Sequence, residues 1–211
     1  MGRSLIESLM NIVPSKILIA TRNQGKVDEI RDLVKRLPIL FLSLADVGAI
    51  PDIVEDGKTF EENALRKARI ISRSTGMVTL ADDSGLCIDA LKGRPGVLSA
   101  RYAGEGATDE EKCRAILSEM QGVPDDVRSA RFVCVIALVE PDGEEQVFRG
   151  VCEGRIIREL RGTGGFGYDP IFYYEEAGGT FAEMDRQWKN RVSHRGRALR
   201  EFIEFLEGLG R

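Results

Sequence analysis

The sequence predicts a mixed α/β fold, an elongated sheet flanked by helices and divided into two lobes with a ligand cleft between them. Three observations carry the prediction. An apolar strand at residues 16–20 (KILIA) leads straight into an amphipathic helix, and a second strand and helix repeat the unit. Two long apolar runs at 130–140 and 145–152 flank Pro141-Asp142-Gly143-Glu144, a hairpin signature that adds an antiparallel part. Between these parts, Val78, Leu80 and Ala81 read as a short buried strand ending in Asp82-Asp83-Ser84-Gly85, where open α/β sheets place their ligand crevices.

In chain order, residues 1–15 form an N-terminal extension with an apolar stripe, interrupted by Glu7, Asn11 and Pro14; it is too polar for a signal h-region and too short for a membrane span. Residues 16–211 form a single two-lobed domain. After the first strand, Thr21-Arg22-Asn23-Gln24-Gly25-Lys26 turns into a helix that buries Ile30, Leu33 and Val34, with Asn23 as its N-cap. Helix-start N–H groups, the positive dipole end and an ammonium together suit phosphate oxygens, although an ordinary capped helix with a surface lysine has the same pattern. It is not a Walker A loop, because Val27 follows Gly25-Lys26 where Ser or Thr is needed.

Residues 40–44 give the second strand, and the acidic loop 46–58 carries Asp52, Glu55 and Asp56. Thr59-Phe60-Glu61-Glu62 is a capping box opening a helix with Leu65, Ala68, Ile70 and Ile71 buried and Gly76 as its stop; Lys67 reads as part of a solvated basic face with Arg66, Arg69 and Arg73. Adjacent Asp82 and Asp83 point to opposite sides of an extended backbone, so one suits a magnesium site in a cleft while the other braces a turn or faces solvent; the four residues also suit a plain Asx turn. A capped helix follows over 108–120, ended by Gly122 and Pro124.

Gly162-Thr163-Gly164-Gly165-Phe166-Gly167 matches G-x-G-x-x-G, but the strand-like Ile171-Phe172-Tyr173 follows it and no helix does, so it is no dinucleotide fingerprint. It reads as a substrate loop offering the Phe166 ring and the Asp169 carboxylate, or as a glycine-rich turn. Thr180 to Glu183 forms another capping box, and the chain closes with a helix over 198–209 that buries Leu199, Phe202, Ile203 and Leu206. His194 is the single histidine, at a helix start and without a G-x-S-x-G elbow, which argues for a hydrogen-bonding role over nucleophilic catalysis.

Composition narrows the partners. A net charge of −4 with no run of five basic residues disfavours a nucleic-acid polymer as ligand, while a single nucleotide escorted by a metal remains compatible. Cys87, Cys113, Cys134 and Cys152 contain no C-x-x-C pair and read as reduced core residues of a cytoplasmic protein that engages no membrane.

Five segments, TRNQGK at 21–26, TFEENALRKA at 59–68, ADDSGLCIDALKGRPGVLSARYAG at 81–104, GGFGYDP at 164–170 and VSHRGRAL at 192–199, occur in one order. Together they resemble the inosine/xanthosine triphosphate pyrophosphatase family, also called the Ham1 family, over about residues 16–208. The resemblance implies an ITPase-like fold and magnesium-dependent hydrolysis of ITP, dITP and XTP to monophosphate and pyrophosphate by a homodimer. It places Thr21, Asn23 and Lys26 on the triphosphate, with Lys67 a further phosphate contact, and counts Arg22, Gln24 and Gly25 of the same turn, and Ser84, among the substrate-binding residues. Glu55 and Asp83 become the metal ligands, with Asp56 as a substitute for Glu55 across a variable loop. Asp83 becomes the proton acceptor, Phe166, Gly167, Tyr168, Asp169, His194 and Arg195 hold the base, and Lys189 binds near them. The stretch Asp185-Arg186-Gln187-Trp188 and the N-terminal extension depart from the family's usual pattern. A Maf-like pyrophosphatase of different base preference, or a nucleotide-binding regulator without turnover, are the alternatives.

Overall fold

The computed structural model describes residues 13–48 and 50–209. Most of the N-terminal extension expected over 1–15 thus lies outside the described residues. Among those described, a mixed sheet of seven strands runs in the order β2-β1-β3-β4-β5-β6-β7. Strand β1 (Lys16–Ile19) lies between β2 (Leu40–Ser43) and β3 (Thr79–Ile88) and is parallel to both. Its Ile17, Leu18 and Ile19 are buried because helices cover both faces, which is why a continuous apolar run makes this strand. The expected hairpin forms from β4 (Ser129–Val139) and β5 (Glu145–Ile156), in register from Ser129 opposite Arg155 to Val139 opposite Glu145. Short strands β6 (Phe172–Tyr174) and β7 (Gly179–Thr180) complete the antiparallel half.

The central segment departs from expectation. Strand β3 continues through Asp82-Asp83-Ser84-Gly85 to Ile88, so the two aspartates sit in mid-strand, opposite Ile136 and Val135, and no turn forms. The uninterrupted apolar run of β4 offers every one of these residues a ladder partner, and the sheet outcompetes a local Asx turn. Gly85 serves close approach here: a Cβ would strike the Ser99 hydroxyl and the Gly96 carbonyl of the 3-10 helix Gly96–Arg101.

Helix α1 (Gln24–Val34) and the C-terminal helix cover one sheet face, where Ile19, Ile30, Ile136, Leu199 and Phe202 share a cluster. Helix α2 (Phe60–Thr75) covers the other over Leu18, Ala81 and Val135. Its buried stripe is Ala64, Lys67, Ala68, Ile71 and Ser72; the expected Leu65 and Ile70 are only half-buried. Half of its capping box forms, since the Thr59 hydroxyl accepts from the Glu62 N–H while the Glu62 carboxylate accepts from Lys58. Gly76 ends α2 at φ +68° as expected. Helix α3 (Asp109–Glu119) carries a complete Thr108/Glu111 box and packs into the second lobe's core with Leu86, Phe132, Phe172 and Phe181.

Two further differences bear on the site. A short helix α4 (Arg186–Val192) precedes the closing helix, and that helix, α5 (His194–Leu209), begins four residues before the expected Ala198. Its first turn lies flush on β5, because Gly150 there has no side chain to meet the His194 carbonyl. The described cysteines are all unpaired, as expected, but Cys87 is half-exposed where a core position was expected: it shares the sheet face of Ala81 and Asp83 but lies past the part that α2 covers.

Candidate active site

The turn from β1 into α1 is built by its own side chains. Asn23 caps the helix by accepting the Lys26 N–H at 3.1 Å, and the Thr21 hydroxyl accepts the Asn23 N–H at 3.2 Å. The first-turn N–H groups of α1 thereby face outward from the end of β1, ready for an anion. Gln24 turns aside to donate to Asp28 at 2.6 Å, and Arg22 lines a neighbouring hollow with Glu55 and Lys67. Gly25 touches the far lobe: a Cβ there would lie 2.8 Å from the Phe166 ring.

The adjacent aspartates of β3 part to opposite faces, as strand geometry requires, and both are buried. Asp82 accepts from Arg195 Nε at 2.9 Å, the Ser84 hydroxyl at 3.1 Å and the Lys26 ammonium. Burial opposes its charge, yet the Arg195 guanidinium and Lys26 outweigh that and hold the carboxyl well below the usual range. Asp83 faces α2 instead, and its Oδ2 is buried without a hydrogen-bond partner. Burial pushes its carboxyl up to about 6 against the pull of Lys67 and Lys26.

Lys67 corrects the reading of a solvated basic face. Only 8% exposed, it donates to the Asp82 carbonyl at 3.0 Å and pairs with Glu55, while Arg66 and Arg69 on the outer side pair with Asp56 and Glu145. Glu55 and Asp83 thus converge around Lys67, and Asp56 points away to the surface.

Beside this polar end lies a cavity of roughly 230 Å³, lined by Ser84, Phe166, Asp169, Lys189, His194 and Arg195 among others. Under it runs a buried chain of alternating charges: Lys26, Asp82, Arg195, Glu29, Lys189 and Asp169. Glu29 accepts from Lys189 at 2.8 Å and from Arg195, and those two cations keep its carboxyl low despite burial. Arg195 also donates to the Ser84 hydroxyl at 2.9 Å. His194 stacks on Phe132 at 4.6 Å, and its Nδ1 is buried without a partner. Burial, with the charges of Arg195 and Lys189, holds its imidazole well below the ordinary range, so it is neutral. The Phe166 ring closes the cavity, with Lys189 Nζ 4.7 Å from its centroid. Asp169 secures this loop by accepting the Phe166 N–H at 2.9 Å, and Tyr168 donates its hydroxyl to the Ser99 carbonyl at 2.8 Å.

Sequence reasoning missed Glu29, Ser99, Asp109 and Lys112, the last three also on the cavity wall. A signal existed for Glu29, which stands three residues after Lys26 and four before Leu33, on the inward side of α1. Ser99 and Asp109 carry no such signal, because the backbone groups they meet in the site, Leu86 and Gly167, are distant in the chain, and Lys112 shows only an ordinary helical pairing with Asp109.

A family model described as the Ham1 family matches residues 17–205. A dITP/XTP pyrophosphatase of Geobacter sulfurreducens is 52% identical over 88% of this chain and 93% of its own length. One from Desulforamulus reducens is 50% identical over 92% of this chain and 96% of its own. The solved structure of a HAM1 protein from Coxiella burnetii matches with a TM-score of 0.84 and 46% identity, covering 92% of this chain and 98% of that one. With its fold, its motifs and nearly its whole length matched, the chain belongs to the Ham1 family.

Proposed function

We propose that this protein hydrolyses the deaminated purine nucleotides dITP, ITP and XTP to monophosphate and pyrophosphate, with magnesium. The observation that carries the reading is the contiguity of two sites. A helix-start turn bearing Lys26, with Lys67 and the unpartnered Oδ2 of Asp83 close by, adjoins an aromatic pocket whose neutral histidine also has an unpartnered nitrogen. Relatives of about half identity named dITP/XTP pyrophosphatase support the same reaction.

The residues fit magnesium. It takes one or two carboxylates, keeps several waters and uses substrate phosphates for the rest, and the described residues hold no cluster of three or more His, Cys, Asp and Glu that would suit a more demanding metal. Asp83 and Glu55 would hold it, since the Asp83 oxygen is orphaned and Glu55 converges on it while Asp56 does not. When bound, the ion neutralises developing charge on the phosphate oxygens and acidifies water.

The chain's own groups do the remainder. Thr21, Asn23 and the α1 N–H groups cradle phosphate oxygens, and Lys26 and Lys67 neutralise them. Asp83 accepts the proton of the attacking water, and its raised affinity for a proton suits that task. No covalent intermediate is required, because positioning and charge stabilisation dominate phosphoryl chemistry. In the pocket, hypoxanthine or xanthine stacks on Phe166, its 6-oxo group accepts from His194 or Arg195, and its N1–H donates to the Asp169 oxygen that does not hold the loop. Adenine reverses donor and acceptor on that edge, and leaving buried groups unpaired costs on the order of 10⁴-fold. The enzyme acts as a cytoplasmic homodimer on free nucleotides; no helix among the described residues is long and apolar enough to cross a membrane.

The test is product analysis on ITP with pyrophosphate and orthophosphate assayed separately, with and without magnesium. Equimolar IMP and pyrophosphate, formed only with the metal, is the expected result. Orthophosphate release would make the enzyme a phosphohydrolase and overturn the reading.

A further inference from the structure

Resting on the reading of the 230 Å³ cavity as a base pocket, we propose that Asp109 is a positioning residue for base recognition, acting on Phe166 through the Gly167 peptide. Phe166 stands between Gly165 at φ +71° and Gly167 at φ +63°, so the local backbone does little to fix the direction of its ring. The ring is fixed instead by two anchors from opposite sides. On one side Asp169, tied to Lys189, accepts the Phe166 N–H.

On the other side, the first turns of α3 meet both backbone polar atoms of Gly167. Asp109 Oδ2 accepts its N–H at 2.6 Å, and the Cys113 thiol lies 3.4 Å from its carbonyl oxygen. Asp109 and Cys113 are four residues apart on α3 and therefore share a face. The second Asp109 oxygen accepts from Lys112 Nζ at 3.2 Å, which fixes the carboxylate's orientation. Helix α3 belongs to the second lobe, so its N-terminal turn sets where the aromatic wall stands relative to the phosphate turn at Gly25.

Substitution at Asp109 leaves the Thr108 cap and the Glu111 half of the box in place, so the helix keeps its start. The test is a double-mutant cycle of Asp109→Ala and Phe166→Ala, with Asp109→Asn as the conservative variant and inorganic tripolyphosphate as a probe that has no base. Asp109→Ala is expected to raise KM for ITP on the order of tenfold, the scale of a lost charge-assisted hydrogen bond, with kcat within about threefold. The inhibition constant of tripolyphosphate stays within about twofold, because the phosphate cradle is untouched. Asp109→Asn restores most of the affinity, since its amide oxygen still accepts the Gly167 N–H. In the Phe166→Ala background, Asp109→Ala adds less than about twofold.

Equal effects of Asp109→Ala in both backgrounds, or a tripolyphosphate constant that rises in step with KM, would overturn the proposal. If the wild type released no pyrophosphate from ITP, the pyrophosphatase reading would fall separately, and calorimetric ITP affinities across the same four proteins would still decide the role of Asp109.

Discussion

Replacing Asp83 by Asn should make the metal-free protein more stable while ending turnover. Asp83 is buried, one of its oxygens has no partner, and its carboxyl titrates near 6 against an ordinary 3.8. The sign follows from linkage: a carboxyl raised in the folded state binds its proton more tightly there, so stability falls as pH rises from about 3.8 through 6. The full penalty, reached above pH 7, is at most about 3 kcal/mol, from a shift of roughly two units at 1.36 kcal/mol each. About half is already felt at pH 5, so the advantage of Asn should grow by roughly 1.4 kcal/mol between pH 5 and pH 8. At 2–4 °C per kcal/mol for a chain this long, the variant should melt roughly 6–12 °C above wild type at pH 8 without metal. Thermal unfolding in chelator at both pH values measures this, and magnesium should then close part of the gap by stabilising only the wild type. A variant less stable than wild type at pH 8, or a gap that does not change with pH, would refute the view that this carboxylate is held for chemistry at the cost of stability.

Glu29→Gln keeps volume but leaves Lys189 and Arg195 short of a counter-charge, so chemical denaturation should show a loss of about 2–4 kcal/mol; an unchanged midpoint would mean that the buried charges are not coupled. Gly25→Ala should leave stability within about 1 kcal/mol, since its φ is not left-handed and Ala favours the helix. The new Cβ displaces the Phe166 ring, so KM for ITP should rise severalfold, and an unaltered KM would contradict that contact. Lys67→Met should lower kcat/KM by about 10²–10³, the scale of removing one charge-stabilising donor. It should also move the Asp83 titration further upward in the metal-free protein, since Lys67 is the largest charge holding that carboxyl down; an NMR titration checks this.

The parts of the fold that the sequence made legible are those whose determinants are local. The hairpin of β4 and β5 follows from long apolar runs around Asp142-Gly143, and the starts of α1 and α3 follow from caps within three residues. Strand β3 was underestimated for the opposite reason. Asp82 looks like a turn residue until Lys26 and Arg195, 56 and 113 positions away, are seen to neutralise it within the sheet. Lys67 looked solvated because its partners, Glu55 and the Asp82 carbonyl, come from a loop and another strand. Helix α4, seven residues long, is too short to show a period, although its Lys189 was readable through the family resemblance. Of the residues that the resemblance named, Lys26, Phe166 and His194 line one cavity and Thr21, Glu55 and Lys67 another, the turn from β1 to α1 contributing to both. The resemblance was silent on Glu29, which pairs with two buried cations, and on Asp109, which accepts the Gly167 N–H.

The most direct test of the account is a comparison of kcat/KM for dITP, XTP, GTP and ATP with magnesium, each followed by pyrophosphate release. Efficient hydrolysis of dITP and XTP is expected, with discrimination against ATP on the order of 10⁴-fold, set by the reversed donor and acceptor at the adenine edge. ATP turned over within tenfold of dITP would contradict the assignment of His194, Arg195 and Asp169 to base selection.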